Sequence, residues 1–583
     1  MDNKESNFGN MLKAFGATPS KQQIEYQKEE LSAFIHFGIN TFMDREWGTG
    51  DENPEVFNPT NLNTDQWIEV LKEAGFKRVI LTAKHHDGFC LWNSKYTNHD
   101  ISKSYWKDGN GDIVDEMSRS CRKYGVKFAI YLSPWDENSE YYGKGQAYND
   151  YYINQLTELL SNYGEISEVW MDGAKGSNVE QDYNFEEWFK LIKTYHKDCI
   201  IFSPHGPDVR WIGNEQGYAG EPCWSTIDVE KMKVSVSQEY LNTGEEKGKD
   251  WVIGECDVSI RPGWFYHKDQ DLEVKSLEKL LDIYFNSVGR NSVLLLNVPP
   301  NKEGLIHDND VNRIKEFGQA INSIFEKNLA LNSKVTSSSI LNDSREFDCS
   351  KVIDENYETY WVPNKCDDNP YIEIDFKDKI EFDVISIQEF ISLGQRVAEF
   401  NVEALIDNEW KKIFEGKTIG YKRLLRLNPI YTDKIRINFI RSLDIPLINN
   451  IAVYKQPKEL EVKKLKNLEE SEKSTIEFEK VSYEIKENLK EVTLKVIRNG
   501  ESVTKLEVDY STFSGTAING VNYQPWSGTL VFNTGEVEKT INISIIDTNM
   551  INESKYFYVR LEDSLDLGIL NKNKEVIINI TSN

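Results

Sequence analysis

Cysteine is sparse and unpatterned in this 583-residue chain. The seven Cys (90, 121, 199, 223, 256, 349 and 366) form no C-x-x-C pair, and an odd number cannot all be bridged, which argues against zinc ribbons and against a disulfide framework. Cys90, Cys121 and Cys199 fall in apolar stretches and are expected to be buried thiols. No apolar run is long enough to span a bilayer, so membrane insertion is not expected. Positive charge is the minority sign, with 68 Lys and Arg against 95 Asp and Glu and a formal net charge of −27. Nucleic acid and anionic membrane both call for a basic surface, which excludes them as partners. The opening residues Met1-Asp2-Asn3-Lys4-Glu5 contain no apolar core, so no signal peptide is expected within this chain. His-x-His, His-Glu-x-x-His and Gly-x-Ser-x-Gly are also missing, which removes the usual zinc-hydrolase and serine-hydrolase signatures and leaves no metal expected in an active site.

What is present is length, aromatic content and alternation. A chain of this size exceeds one core and implies two to four domains. Of the 14 Trp, eleven lie before residue 330, leaving Trp361, Trp410 and Trp526 beyond it. Indoles of this density suit a protein that stacks on flat apolar faces, sugar rings included. Strand-like runs at Ser32–Phe37, Arg78–Ala83, Lys127–Leu132, Glu168–Met171, Ile200–Ser203, Trp251–Ile253 and Val293–Asn297 alternate with helical patterns. The helices are expected over Thr64–Ala74 (Thr64 as N-cap), Asp112–Tyr124, Tyr148–Tyr163, Phe185–His196, Val274–Ser287 and Asp308–Glu326. Parallel strands with crossover helices over roughly 300 residues predict a (β/α)8-like, TIM-type barrel, irregular between 205 and 250. Alternating strands such as Tyr371–Phe376, Lys434–Phe439, Glu491–Val496 and Lys539–Ile545 predict two β-sandwich domains after it. The expected organisation is a barrel over 1–327, a sandwich over 328–457, a Lys/Glu-rich linker over 458–474 and a second sandwich over 475–583.

Barrels of this class place their chemistry at the carboxyl ends of the strands. Here those ends read His36-Phe37-Gly38, His85-His86-Asp87, Tyr131-Leu132-Ser133, Trp170-Met171-Asp172 and Ser203-Pro204-His205, so five successive strands deliver polar or aromatic groups to one rim. Adjacent His85 and His86 would point to opposite sides of an ideal strand and so would not easily share a metal ion. Imidazoles that hydrogen-bond hydroxyls, indoles that cover an apolar ring face and a carboxylate suit a sugar. The alternative is that Asp172 only caps its turn. Glycoside cleavage usually needs a second carboxyl. Glu215, between Gly213 and Gly217 on a loop assigned to the fifth strand, competes for that place with Glu46, Glu221, Glu255 and Asp257.

The motifs His36-Phe37-Gly38, Glu46-Trp47-Gly48, Lys84-His85-His86-Asp87-Gly88-Phe89, Val169-Trp170-Met171-Asp172-Gly173 and Arg210-Trp211-Ile212-Gly213-Asn214-Glu215 together resemble α-L-fucosidases of glycoside hydrolase family 29, over about residues 10–320. The resemblance implies a retaining mechanism with Asp172 as nucleophile. The Trp-x-Gly-Asn-Glu loop resembles the subfamily restricted to α-1,3 and α-1,4 linkages on branched, Lewis-type glycans, in which Glu215 would be the acid/base. By the same matching, His36, Glu46, Trp47, His85, His86, Tyr131 and Trp170 would contact fucose, with Trp264 near the C5 methyl. Retention would put the two carboxyls ~5 Å apart. A carbohydrate-binding protein that recognises fucose without cleaving it and an exo-glycosidase for another sugar, such as galactose, are the competing readings.

Region 328–457 resembles a discoidin-like module through Asp354-Glu355-Asn356-Tyr357-Glu358-Thr359-Tyr360-Trp361, a turn that in that fold often holds a structural calcium. Its role would be glycan targeting or buttressing of the barrel. Region 475–583 resembles a Calx-beta domain, although Asn522 stands where Asp is common and Asp547 is followed by Thr548, which weakens the case for calcium. An adhesion-like spacer is expected there. Fucosylated oligosaccharides are the expected partners, in an extracellular or cell-surface setting.

Overall fold

A computed structural model describes residues 12–175, 179–234, 236–460, 474–500, 502, 505–546, 554–563 and 569–582. Eight parallel strands close into a barrel: β1 Leu31–Ile35, β2 Arg78–Lys84, β3 Lys127–Leu132, β4 Glu168–Trp170, β5 Ile200–Phe202, β6 Val209–Trp211, β7 Ile253–Ser259 and β8 Val293–Asn297. Each strand pairs with its successor and β8 closes on β1, with Leu31 opposite Leu294. Both faces of these strands are covered, which is why they read as unbroken apolar runs.

The helices Thr64–Glu73, Ile113–Tyr124, Gln146–Asn162, Phe185–Tyr195, Leu277–Asn286 and Asp308–Ile324 bury their apolar faces on the outside of the barrel. Asp112 caps the second of them, accepting the Asp115 N–H at 2.9 Å, and Gly125 ends it at φ +68°. Thr64 is not the cap of the first: Asn63 accepts the Gln66 N–H at 3.1 Å, and the Thr64 hydroxyl meets Ser120 Oγ at 2.8 Å.

Two strand expectations are corrected. Trp251–Ile253 merges two elements, because Asp250–Trp251 pairs with Thr226–Ile227 in a separate hairpin and the barrel strand begins at Ile253. Val209–Trp211, inside the stretch read as irregular, is the sixth barrel strand. It is too short to show a period.

In the first sandwich the long strands Tyr371–Glu389 and Arg423–Ser442 pair along most of their length, with register shifts at Asp375/Ile380 and Phe382/Val384, around a core that includes Trp361, Phe400 and Ile437. It packs directly on the barrel. Val384 and Leu424 enter the barrel's own hydrophobic core, and Arg423 pairs with Glu221 at 2.7 Å. In the turn Asp354–Trp361, Asp354 accepts from the Asn356 N–H (2.9 Å) and the Thr359 hydroxyl (2.8 Å). Of the linker, 461–473 lie outside the described residues, as do Asp547 and Thr548.

The second sandwich is not a spacer. Its strand Leu506–Ser514 faces the barrel helix Leu277–Asn286, where Lys279 and Asp509 form an ion pair with side chains 2% and 1% exposed. Ser276 at that helix's N-cap donates N–H and Oγ to Glu507 (3.1 and 2.9 Å), and Lys539 pairs with Glu273 at 2.5 Å. Charged groups drawn from two domains and paired out of water fix the relative placement of both. Among the described residues, no helix is long and apolar enough to cross a membrane, and Cys90, Cys121 and Cys199 are buried free thiols.

Candidate active site

The carboxyl ends of the barrel strands converge on a cavity of about 470 Å³. His36 follows β1, and its Nδ1 lies 2.9 Å from Asn297 Oδ1 at the end of β8. The Asn297 Nδ2 donates to Ser259 Oγ (2.9 Å) and to the Trp264 carbonyl (2.8 Å), so Oδ1 is the acceptor. His36 Nδ1 therefore carries the proton and Nε2 keeps its lone pair. Burial pulls this imidazole down to about 3, which keeps it neutral.

His85 and His86 come after β2 has ended at Lys84, so the expected divergence of adjacent side chains does not occur. Both rings line the cavity with centroids 4.2 Å apart. Ser133 Oγ donates to the Trp135 carbonyl (2.6 Å) and accepts from His86 Nδ1 (2.7 Å). That leaves His86 Nε2 as the unprotonated nitrogen, 3.8 Å from Asp172 Oδ2. Burial lowers both imidazoles, that of His86 against the pull of Asp172.

Asp172 lies just beyond β4. Its Oδ1 accepts the Ala174 N–H at 2.8 Å and its Oδ2 accepts the Tyr131 hydroxyl at 3.1 Å. It caps its turn and faces the cavity at once, so the two readings of this residue are not exclusive. Burial, then the nearby Asp172 charge, pushes the Tyr131 hydroxyl well above its ordinary range and keeps it a donor. Trp170 stacks on Phe202 (3.9 Å between centroids) and on Tyr131 (5.3 Å), while its Nε1 donates to Glu255 at 2.8 Å. Trp47 meets the His86 ring edge-on at 6.2 Å, and Trp264 lies 5.1 Å from His36.

Glu215 sits on the loop after β6, not after the fifth strand as expected, because β6 itself was unrecognised. The loop is tightly built. Gly213 has φ +89°, and a Cβ there would come within 2.4 Å of the Gln238 carbonyl oxygen. Asn214 Oδ1 accepts the Gln216 N–H at 3.1 Å, and Asn242 Nδ2 holds the carbonyls of Ile212 and Tyr218 at 3.0 Å each. Burial and then the Asp172 charge push the Glu215 carboxyl up to about 8, against a hydrogen bond from the Trp264 side chain.

Three of the four competing acids separate by their partners. Glu46 lines the cavity but is engaged by the N–H groups of Trp264 (2.8 Å) and Phe265 (3.3 Å) and by His267 Nε2 (2.6 Å), so it clamps the Trp264 loop. Glu221 pairs with Arg423 at the sandwich interface, and Glu255 is buried behind Trp170 against Tyr26. Asp257 lines the cavity, and burial, then Glu215, Glu255 and Asp172, raise it well above a normal carboxyl.

The family profile described as Alpha-L-fucosidase matches residues 12–324, more than half of the chain. The chain belongs to the α-L-fucosidase family. Arabidopsis thaliana α-L-fucosidase 1 is 46% identical over 442 residues, covering 75% of this chain and 87% of the relative. The solved structure of SpGH29 is 44% identical with a TM-score of 0.74, over 76% of this chain and all of that one (100%). A Ruminococcus gnavus GH29 fucosidase in complex with fucose is 39% identical with a TM-score of 0.73, over 78% of this chain and 97% of that one. Profiles for an F5/8 type C domain and a Calx-beta domain match residues 334–451 and 469–580. The chain is thus a glycoside hydrolase of the α-L-fucosidase type whose substrate class is fucosylated glycans, which sets aside galactose as the sugar.

Within this fucosidase the cavity gathers His36, Glu46, Trp47, His85, His86, Tyr131, Trp170, Asp172, Glu215 and Trp264, the residues that the family resemblance pointed to. His205 is not among them: its ring packs on Phe185 at 4.5 Å, and Pro204 takes the wall position. Sequence reasoning passed over Asn297, although it ends a recognised strand as the other site residues do. It also passed over the outer wall, which comes from Asn519, Gln524, Pro525 and Trp526 of the second sandwich. The rarity of Trp beyond residue 330 was the available signal for the last of these.

Proposed function

We propose that the chain is a retaining exo-α-L-fucosidase that releases α-1,3- and α-1,4-linked fucose from branched, Lewis-type glycans, with Asp172 as nucleophile and Glu215 as acid/base. The observation that carries the reading is the unequal treatment of two carboxyls on one cavity. Asp172 is oriented by two hydrogen-bond donors, whereas Glu215 is kept protonated up to about 8 by burial and by Asp172 itself. Double displacement needs such a division of roles. Asp172 attacks the anomeric carbon while Glu215 gives its proton to the glycosidic oxygen, and the C1–O bond to the leaving saccharide breaks. Esterification removes the Asp172 charge, so the Glu215 carboxylate is no longer opposed and takes a proton from water. That water attacks C1, the Asp172 carboxylate departs, and fucose leaves with its α configuration retained.

The unprotonated Nε2 atoms of His36 and His86 suit the fucose hydroxyls, and Trp47 and Trp264 suit its apolar face and C5 methyl. The linkage preference is supported by the Trp211-Ile212-Gly213-Asn214-Glu215 loop. Glycan substrates support an extracellular or cell-surface setting. A calcium in the first sandwich is part of the same reading, with Asp354 and Thr359 offering oxygen ligands; a rise in unfolding temperature on adding calcium tests it.

The test is free fucose measured after incubation with Lewis a or Lewis x trisaccharide, 2′-fucosyllactose and p-nitrophenyl α-L-fucoside. Release from the branched trisaccharides and not from 2′-fucosyllactose is expected. Comparable release from 2′-fucosyllactose would overturn the linkage reading, and binding without release would favour a lectin.

A further inference from the structure

The cavity that holds Asp172 and Glu215 is completed by a domain more than 300 residues further along the chain, since Asn519, Gln524, Pro525 and Trp526 form part of its wall. These four belong to the connection between strands Leu506–Ser514 and Ser527–Phe532 of the second sandwich. The connection is rigidly built. Tyr523 is fully buried and stacks on Phe557 with centroids 3.9 Å apart. Gly520 takes φ +68° and donates its N–H to the Tyr523 carbonyl at 2.8 Å, and Asn522 Oδ1 accepts the Ile518 N–H at 3.0 Å. The Trp526 backbone is held on both sides by Thr512, through N–H to Oγ1 (2.9 Å) and through its carbonyl (3.0 Å). The next residue, Ser527, accepts the Glu215 N–H at 3.2 Å. The domain therefore touches the acid-bearing loop itself, and Trp526 and Glu215 also share the adjoining cavity of about 540 Å³ between the two domains.

Position decides the use of this wall. The His cluster, Tyr131 and Trp170 occupy the barrel side of the cavity with Asp172, so the side bounded by Glu215 and the second sandwich is where the group receiving the Glu215 proton must stand. We infer that Trp526, with Pro525, Gln524 and Asn519, forms the subsite for the leaving saccharide: the indole covers a sugar face and the two amides take hydroxyls. This deepens the proposed function and rests on its assignment of Glu215. It also makes the second sandwich a specificity element of the enzyme.

The test compares the full-length wild type with Trp526→Ala, Trp526→Phe and Gln524→Ala on a branched Lewis trisaccharide, on 2′-fucosyllactose and on α-L-fucosyl fluoride, which has no leaving saccharide. For the oligosaccharide that the wild type cleaves best, kcat/KM should fall about 10-fold or more in Trp526→Ala, in line with an aromatic contact plus its buried area. It should fall less in Trp526→Phe and Gln524→Ala, while the fluoride rate stays within about twofold in all three. Equal losses on oligosaccharide and fluoride, or no loss on either, would overturn the subsite. Should the wild type prefer 2′-fucosyllactose, the linkage reading fails and the subsite is judged by the same ratio on that substrate. A wild type that cleaves the fluoride but no oligosaccharide overturns both.

Discussion

Raising Glu215 to about 8 from an ordinary 4.5 has a thermodynamic cost that can be measured without any substrate. Between those values the native state keeps a proton that the unfolded chain has lost. The contribution of this group is therefore fully present below pH 4.5 and is lost as pH rises toward 8. The slope is about 1.4 kcal/mol per pH unit, giving a total on the order of 5 kcal/mol for the whole interval. Glu215→Gln has no such proton to lose. Thermal unfolding of the two proteins from pH 5 to pH 9 should therefore show the variant gaining on the wild type steadily up to about pH 8 and levelling off above it. Asp172→Asn, which removes the second-largest cause of the shift, should narrow the interval. In activity, the same proton sets the alkaline limb of kcat/KM near pH 8, with about a tenfold loss for each further unit. A stability difference between wild type and Glu215→Gln that does not vary with pH would refute the reasoning.

Tyr131→Phe removes the hydroxyl that Asp172 Oδ2 accepts and leaves the stacked ring in place, so kcat should fall about 10- to 100-fold with little change in unfolding temperature, as for a hydrogen bond to a charged group. Glu46→Gln weakens the clamp on the Trp264 loop and should raise KM for every fucoside more than it lowers kcat, read from initial-rate kinetics. Lys279→Ala removes one buried partner of Asp509, which keeps the Thr529 hydroxyl at 2.6 Å and the charge of nearby Lys275, and should destabilise the docked second sandwich by about 1–3 kcal/mol, seen as early protease nicking of that domain, while Lys279→Met with Asp509→Leu should restore most of the loss.

Much of this site was legible because barrel chemistry follows strand ends, and the strand ends carrying His36, His85, Tyr131 and Asp172 sit on apolar runs that composition alone exposes. Glu215 was harder. Its strand, Val209–Trp211, is too short to announce itself, and the loop was therefore assigned to the wrong strand. Its advantage over Glu46 lies in the partners that hold Glu46 to the Trp264 loop, which sequence spacing does not carry. Adjacent His85 and His86 were expected to diverge because strand geometry was extended past Lys84, where the strand ends. The docking of the second sandwich was illegible for a different reason. It depends on pairs such as Glu215 with Ser527, 312 residues apart, and Lys279 with Asp509, 230 apart, and no periodicity reports pairings between domains.

The account turns on Asp172 as the group that attacks the anomeric carbon, and azide rescue of Asp172→Ala tests it most directly. The folded variant should have lost turnover on an activated aryl fucoside, and millimolar azide should restore release of the aryl group with β-L-fucosyl azide as the product. An Asp172→Ala protein that is folded and binds fucose, yet shows neither rescue nor the β-configured adduct, would contradict the assignment.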